Sequence, residues 1–142
     1  MRFVAIVTAC LFLGCTTTPD GYHIATSPFE HNPEFLTSSF GIIWIPAGWQ
    51  ANTQERKAVL EHEKLHIRRM RQIGILAWHW CYFVDSAFRW DEEREAYELQ
   101  YSLYPCYTPE ALVALVTDPY YDGLITYTPA LIWAEEVTRA NP

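Results

Sequence analysis

Asn52-Thr53-Gln54-Glu55-Arg56-Lys57-Ala58-Val59-Leu60-Glu61-His62-Glu63-Lys64-Leu65-His66-Ile67-Arg68-Arg69-Met70-Arg71-Gln72-Ile73-Gly74 is the stretch on which the reading of this chain turns. Asn52 with Glu55 three residues later makes a capping box, and no Gly or Pro interrupts the run before Gly74, so a helix is predicted from about Thr53 to Ile73. Val59, His62, Glu63, His66 and Met70 fall on one connected face, which turns them toward the interior. Residues four apart stack on one side of a helix, so the imidazoles of His62 and His66 can reach a single cation while Glu63 lies beside them. Two histidines and an adjacent carboxylate at this spacing suit zinc binding and proton transfer at a water. Lys64, Arg68 and Arg71 recur at helical spacing and are predicted to form a solvated outer face.

The remaining elements are read outward from this helix. Ser38 to Ile45 carries Phe40, Ile42, Ile43, Trp44 and Ile45 and stops at Pro46-Ala47-Gly48, as a short buried or edge strand does. Ile75 to Val84 is a dense apolar and aromatic stretch, and Phe88 to Tyr104 resumes charged, helical character before Pro105. Thr108-Pro109 and Thr128-Pro129 each match a cap followed by proline, predicting short helices over Glu110–Val116 and Ala130–Arg139. The expected fold class is therefore mainly α with a short strand or small sheet (α+β), as one domain over residues 31–142. A chain of 142 residues, 50% hydrophobic and 15% aromatic, supports one modest core. The formal charge of −7 argues against a nucleic-acid partner, since phosphate is repelled.

The amino terminus reads as an address. Arg2 precedes an apolar run from Phe3 to Leu13, then Gly14-Cys15, after which Thr16, Thr17, Thr18, Pro19 and Asp20 turn the composition polar. Eleven helical residues rise about 16 Å, roughly half the hydrocarbon thickness, which favours a cleaved signal over residues 1–14. Leu11-Phe12-Leu13-Gly14-Cys15 resembles the lipobox of bacterial lipoproteins. The resemblance implies that Cys15 is acylated and becomes the first mature residue; plain secretion is the alternative. Thr16 after the cysteine, in place of Asp, resembles lipoproteins sent to the outer membrane, so a lipid-anchored location facing the periplasm is expected. The polar residues 15–30 read as a tether. Cys81 and Cys106 then remain. In an oxidising compartment a disulfide between them would close a loop of about 25 residues and contribute roughly 3 to 4 kcal/mol, the alternative being two thiols.

Catalytic zinc keeps three protein ligands and one open position, so another His, Asp or Glu is required. Its best source is Trp90-Asp91-Glu92-Glu93-Arg94-Glu95-Ala96-Tyr97. With this segment the chain resembles the gluzincin metallopeptidases, which carry His-Glu-x-x-His on one helix and a metal-binding Glu on a following one. Glu93-Arg94-Glu95-Ala96 matches the Glu-x-x-Ala of that second helix in several of these families. The resemblance implies a zincin-like helix pair, with His62, His66 and Glu93 as zinc ligands and Glu63 as the catalytic base. Twenty-six residues separate His66 from Glu93, room for a connection between the helices. Where many members have Asp one residue after the Ala, this chain has Tyr97, which removes the usual carboxylate behind His62. Glu95 and then Asp85 are the rivals for third ligand, while Glu92, Glu98 and Glu61 are read as surface charges.

With zinc in place, Glu63 would take a proton from an attacking water and return it to the leaving amine of a peptide. His79, Tyr97, Tyr104 and Tyr107 are candidates, by residue type, for stabilising the oxyanion. His79, between Trp78 and Trp80, reads more simply as a hydrogen-bonded core histidine. The expected partners are a protein or peptide substrate and, through the lipid anchor, a membrane. Two other readings are a non-enzymatic envelope lipoprotein with a structural zinc site and a lipoprotein with no metal at all.

Overall fold

The computed structural model describes residues 15–27, 36–117 and 126–141. The expected signal, 1–14, and the boundary between residues 30 and 31 lie outside the described residues. The fold is mainly helical with one small sheet, as the composition and periodicity predict. Strands β1 (Thr16–Thr17), β2 (His23–Thr26), β3 (Thr37–Ser39) and β4 (Ile42–Ile45) are followed by α1 (Gln54–Ile73), α2 (Ile75–Val84), α3 (Ser86–Leu103), α4 (Pro109–Thr117) and α5 (Tyr127–Ala140). No helix among the described residues is long and apolar enough to cross a membrane.

The sheet has the order β1-β2-β4-β3, with β2 parallel to β4 and the outer pairs antiparallel. The segment Ser38 to Ile45, read as one strand, is a hairpin instead. Phe40 and Gly41 both take positive φ, 51° and 80°, as a two-residue turn between right-twisted strands requires. A left-handed Phe is costly, and its ring stacks on His79 at 4.5 Å, which favours that conformation. Side chains alternate along each strand, so Ile43 and Ile45 of β4 share a face with Ile24 of β2, opposite Ile43 in register. This face meets Ile67 and Met70 of α1, both fully buried, in a core that includes Tyr22, Leu36, Trp49 and Trp78.

The residues expected to form a tether are partly built into the sheet: β1 and β2 pair at Thr16↔Ile24 and Thr17↔His23, and Tyr22 and Ala25 are buried. The basic side of α1 explains why. Lys64 is buried, and its ammonium lies 2.7 Å from Asp20 and 2.8 Å from Glu61. Lys64 and Arg71 both sit over the Tyr22 ring, and Arg71 donates to the Gly21 carbonyl at 2.7 Å. The Lys64 contact holds the Asp20 carboxyl at about 2. Of the predicted solvated face, Lys64 is therefore buried where the 18–22 turn docks, whereas Arg68 stays half-exposed and Arg71 exposed, and only a long-range contact could reveal the difference.

α1 ends at Gly74 as predicted, and Thr53, not Asn52, supplies the cap, its hydroxyl accepting from the Arg56 amide at 3.1 Å. Ile75–Val84 is a helix that buries Trp78 and leaves Leu76, Trp80, Phe83 and Val84 exposed. Asp85 caps α3 by accepting from the amides of Ala87 and Phe88. Thr108 caps α4 through the Ala111 amide, as predicted. α5 begins at Tyr127, three residues before the predicted start, with Pro129 in the first turn, where its missing N–H leaves no intrahelical bond unmade. α4 and α5 pack with the end of α3 in a second core around Tyr101, Leu112, Val116, Trp133 and Ala134. Cys81 and Cys106 are free thiols, the first half-buried and the second exposed.

Candidate metal centre

α1 and α3 face each other over much of their length, and the histidines of one meet the acidic run of the other. His62 and His66, one turn apart on α1, are 6% and 3% exposed; Glu93 of α3 is 3% exposed. One ligand atom from each lies within 4.8 Å of the others. His62 Nε2 is 3.5 Å from Glu93 Oε2, and His66 Nε2 is 3.6 Å from Glu93 Oε1. Such separations exceed ordinary hydrogen bonds, and Glu93 Oε2 has no hydrogen-bond partner although it is buried. Four ligands at ~2.0–2.1 Å around a tetrahedral zinc are spaced by ~3.3 Å, close to the values found here. The donor set, imidazole nitrogen, imidazole nitrogen and carboxylate oxygen converging in a buried space, therefore fits a divalent transition-metal cation without singling out zinc.

Electrostatics tie the three together. Burial pushes the Glu93 carboxyl up, but the His62 and His66 imidazoles and the Tyr82 hydroxyl outweigh it and hold the group at about 2. Burial works to lower the His66 pKa, and the surrounding carboxylates of Glu92, Glu93 and Glu63 raise it on balance. Glu63 is buried at 8% exposure on the same helix, near enough to His66 for its charge to act on that imidazole.

The third-ligand candidates separate by helix face. Glu95, two residues beyond Glu93, projects to the side and holds Arg69 through both oxygens at 2.9 and 2.7 Å. Asp85 caps α3. Neither joins the cluster.

Glu92, read as a surface charge, is 4% exposed. It accepts from Trp78 Nε1 at 2.9 Å and pairs with Arg69 Nε at 3.1 Å, and its Oε2 lies 3.7 Å from His66 Nδ1. Its charge made the surface reading reasonable; three basic or donor groups on α1 and α2 make burial tolerable. Position was the available signal, since Glu92 precedes Glu93 by 100° on a face that also carries Ala96. Glu98 accepts from Trp133 Nε1, and Glu61 pairs with Lys64.

Among the oxyanion candidates, Tyr97 is in contact with a ligand ring, edge-on to His62 at 4.7 Å. It occupies the place where the resemblance leads one to look for Asp. Tyr107 is hydrogen-bonded by Gln100 and packs against the second core. Tyr104 ends α3. His79 holds Ile75 O at 2.7 Å through Nδ1 and the Phe40 amide at 3.4 Å through Nε2, a structural use of both nitrogens.

Comparison of the chain with protein-family profiles, curated proteins and solved structures finds no match.

Proposed function

We propose that this chain is a zinc metallopeptidase of the bacterial envelope, hydrolysing a peptide bond in a protein or a peptide cross-link. His62, His66 and Glu93 hold the metal, and Glu63 is the general base. The observation that carries this reading is the convergence of three buried donor atoms within 4.8 Å on the same helix pair that buries the Glu63 carboxylate. Bound zinc would supply polarisation of the peptide carbonyl and acidification of a water. Glu63 accepts the proton as the water attacks and returns it to the departing amine. Tyr97, whose ring meets His62 edge-on, is our choice among the candidate oxyanion donors.

The depth of all four groups favours a second reading, in which zinc braces α1 against α3 in a non-enzymatic lipoprotein. Metal analysis and melting test what the readings share. One zinc per chain is expected, and metal held at about 1,000 times its Kd should add about 4 kcal/mol of stability that a chelator removes. Absence of stoichiometric zinc after reloading, with unchanged melting, overturns both. A screen of envelope proteins and cell-wall peptides for chelator-sensitive cleavage separates them.

The location rests on Cys15 and the apolar run before it. We propose that Cys15 is acylated; Thr16 is already part of β1, so the lipid would adjoin the folded domain with no spacer. Cys15→Ala is expected to move the protein from the membrane to the soluble fraction and to abolish lipid labelling. Unchanged fractionation and labelling would exclude this anchor.

A further inference from the structure

α2 links the two helices of the metal site, yet its buried side does more than connect. Trp78 and Tyr82 stand one turn apart, and their rings stack with centroids 4.6 Å apart at 19°. Each donates to one of two consecutive carboxylates on α3. Trp78 Nε1 reaches Glu92 Oε2 at 2.9 Å, and the Tyr82 hydroxyl reaches Glu93 Oε1 at 2.5 Å. On Glu93 this occupies one oxygen and leaves the other, Oε2, buried without a hydrogen bond and facing His62 Nε2. On Glu92 it fixes, together with Arg69, the carboxylate that lies 3.7 Å from His66 Nδ1.

We propose that Tyr82 and Trp78 are positioning residues for the metal centre: Tyr82 restricts Glu93 to one ligating oxygen, and Trp78 holds Glu92 behind His66. This rests on the metal-centre reading. A carboxylate with both oxygens unengaged can grip a cation through both and so fill a position that substrate or water needs. A short hydrogen bond to one oxygen opposes that. The Glu92 carboxylate, 3.7 Å from His66 Nδ1 and not hydrogen-bonded to it, acts on the ring through its charge, favouring the tautomer protonated at Nδ1 and leaving Nε2 for a metal. The rigid stack of two aromatic rings delivers both donors from one helix face, so the two effects come from a single packing arrangement.

The test uses the full chain, Tyr82→Phe and Trp78→Phe, each stripped and reloaded with zinc or with cobalt(II). Apo melting, affinity by chelator competition and the visible absorption of the cobalt form are measured together. Tyr82→Phe keeps the ring stack, so its apo melting should stay near that of the parent. Its cobalt absorption should weaken as the second Glu93 oxygen joins the metal and the coordination number rises, with an affinity equal to or above the parent's. Trp78→Phe should lose ~10–100-fold in affinity while keeping the parent's cobalt band. Parent-like cobalt absorption in Tyr82→Phe would overturn the proposal. If that variant does not fold, Trp78→Phe decides: weakened affinity with parent-like apo melting supports the positioning role, and parent-like affinity overturns it. A parent that takes up neither metal would overturn the metal-centre reading itself, a result distinct from failure of either variant.

Discussion

Glu63→Gln is expected to fold and to bind zinc as the parent does, while cleaving any peptide that the parent cleaves ~10²–10⁴-fold more slowly. Glu63 lies on α1 between the two histidines in sequence and is buried. The amide has the same shape, so packing is preserved, but it cannot accept a proton. Turnover should therefore collapse while zinc content and melting temperature hold. Steady-state kinetics on a cleaved peptide, with metal content measured on the same preparation, checks this. Full turnover by the variant would exclude Glu63 as the base, whereas loss of zinc would give this residue a role in holding the site.

Glu93→Ala is expected to weaken zinc binding by at least ~100-fold, because it removes one of the three proposed ligands and not an outer support. The controls are built into the same helix. Glu95→Ala breaks a half-exposed pair with Arg69 worth about 0–1 kcal/mol and should leave the metal in place. Asp85→Ala removes an N-cap with two amide contacts and should lower stability by roughly 0.5–2 kcal/mol, again with zinc retained. Chelator competition on the three variants gives the ranking. If Glu95→Ala stripped the metal while Glu93→Ala kept it, α3 would have to be rotated from the arrangement described, and the ligand assignment would be wrong.

Tyr97 illustrates how a local motif is completed by its surroundings. With Tyr97 at that position, His62 Nδ1 has no hydrogen-bond partner among the described residues, and an aromatic edge lies against the ring. The carboxylate of this site stands behind the other histidine, His66, and comes from Glu92. Neighbouring positions on one helix thus bring one carboxylate to both histidines and another to His66, 100° apart, and α2 donates a hydrogen bond to each.

Which parts were legible without coordinates follows from the range of the forces involved. α1 was readable almost to the residue because its signals are local: a cap near residue 53, a stop at Gly74 and a histidine pair one turn apart. The helical nature of α3 and the position of α4 followed from the same kind of punctuation. The hairpin at Phe40-Gly41 was less visible, since Phe is an uncommon residue at positive φ and its stack on His79 is a contact 39 residues away. α2 was opaque because apolar residues lie on all its sides, so no periodicity marks the buried one.

The sequence by itself determined that two histidines and a glutamate share one side of a helix, because helical spacing is a property of the backbone. The convergence of Glu93, not Glu95 or Asp85, on those histidines was decided by the rotation of α3 against α1. The same is true of Glu92 and Lys64, charged residues whose type predicts solvent and whose partners, Trp78, Arg69 and Asp20, arrive from distant parts of the chain. A charge is buried where packing brings it a counter-charge or a donor, and only the tertiary structure determines where that happens.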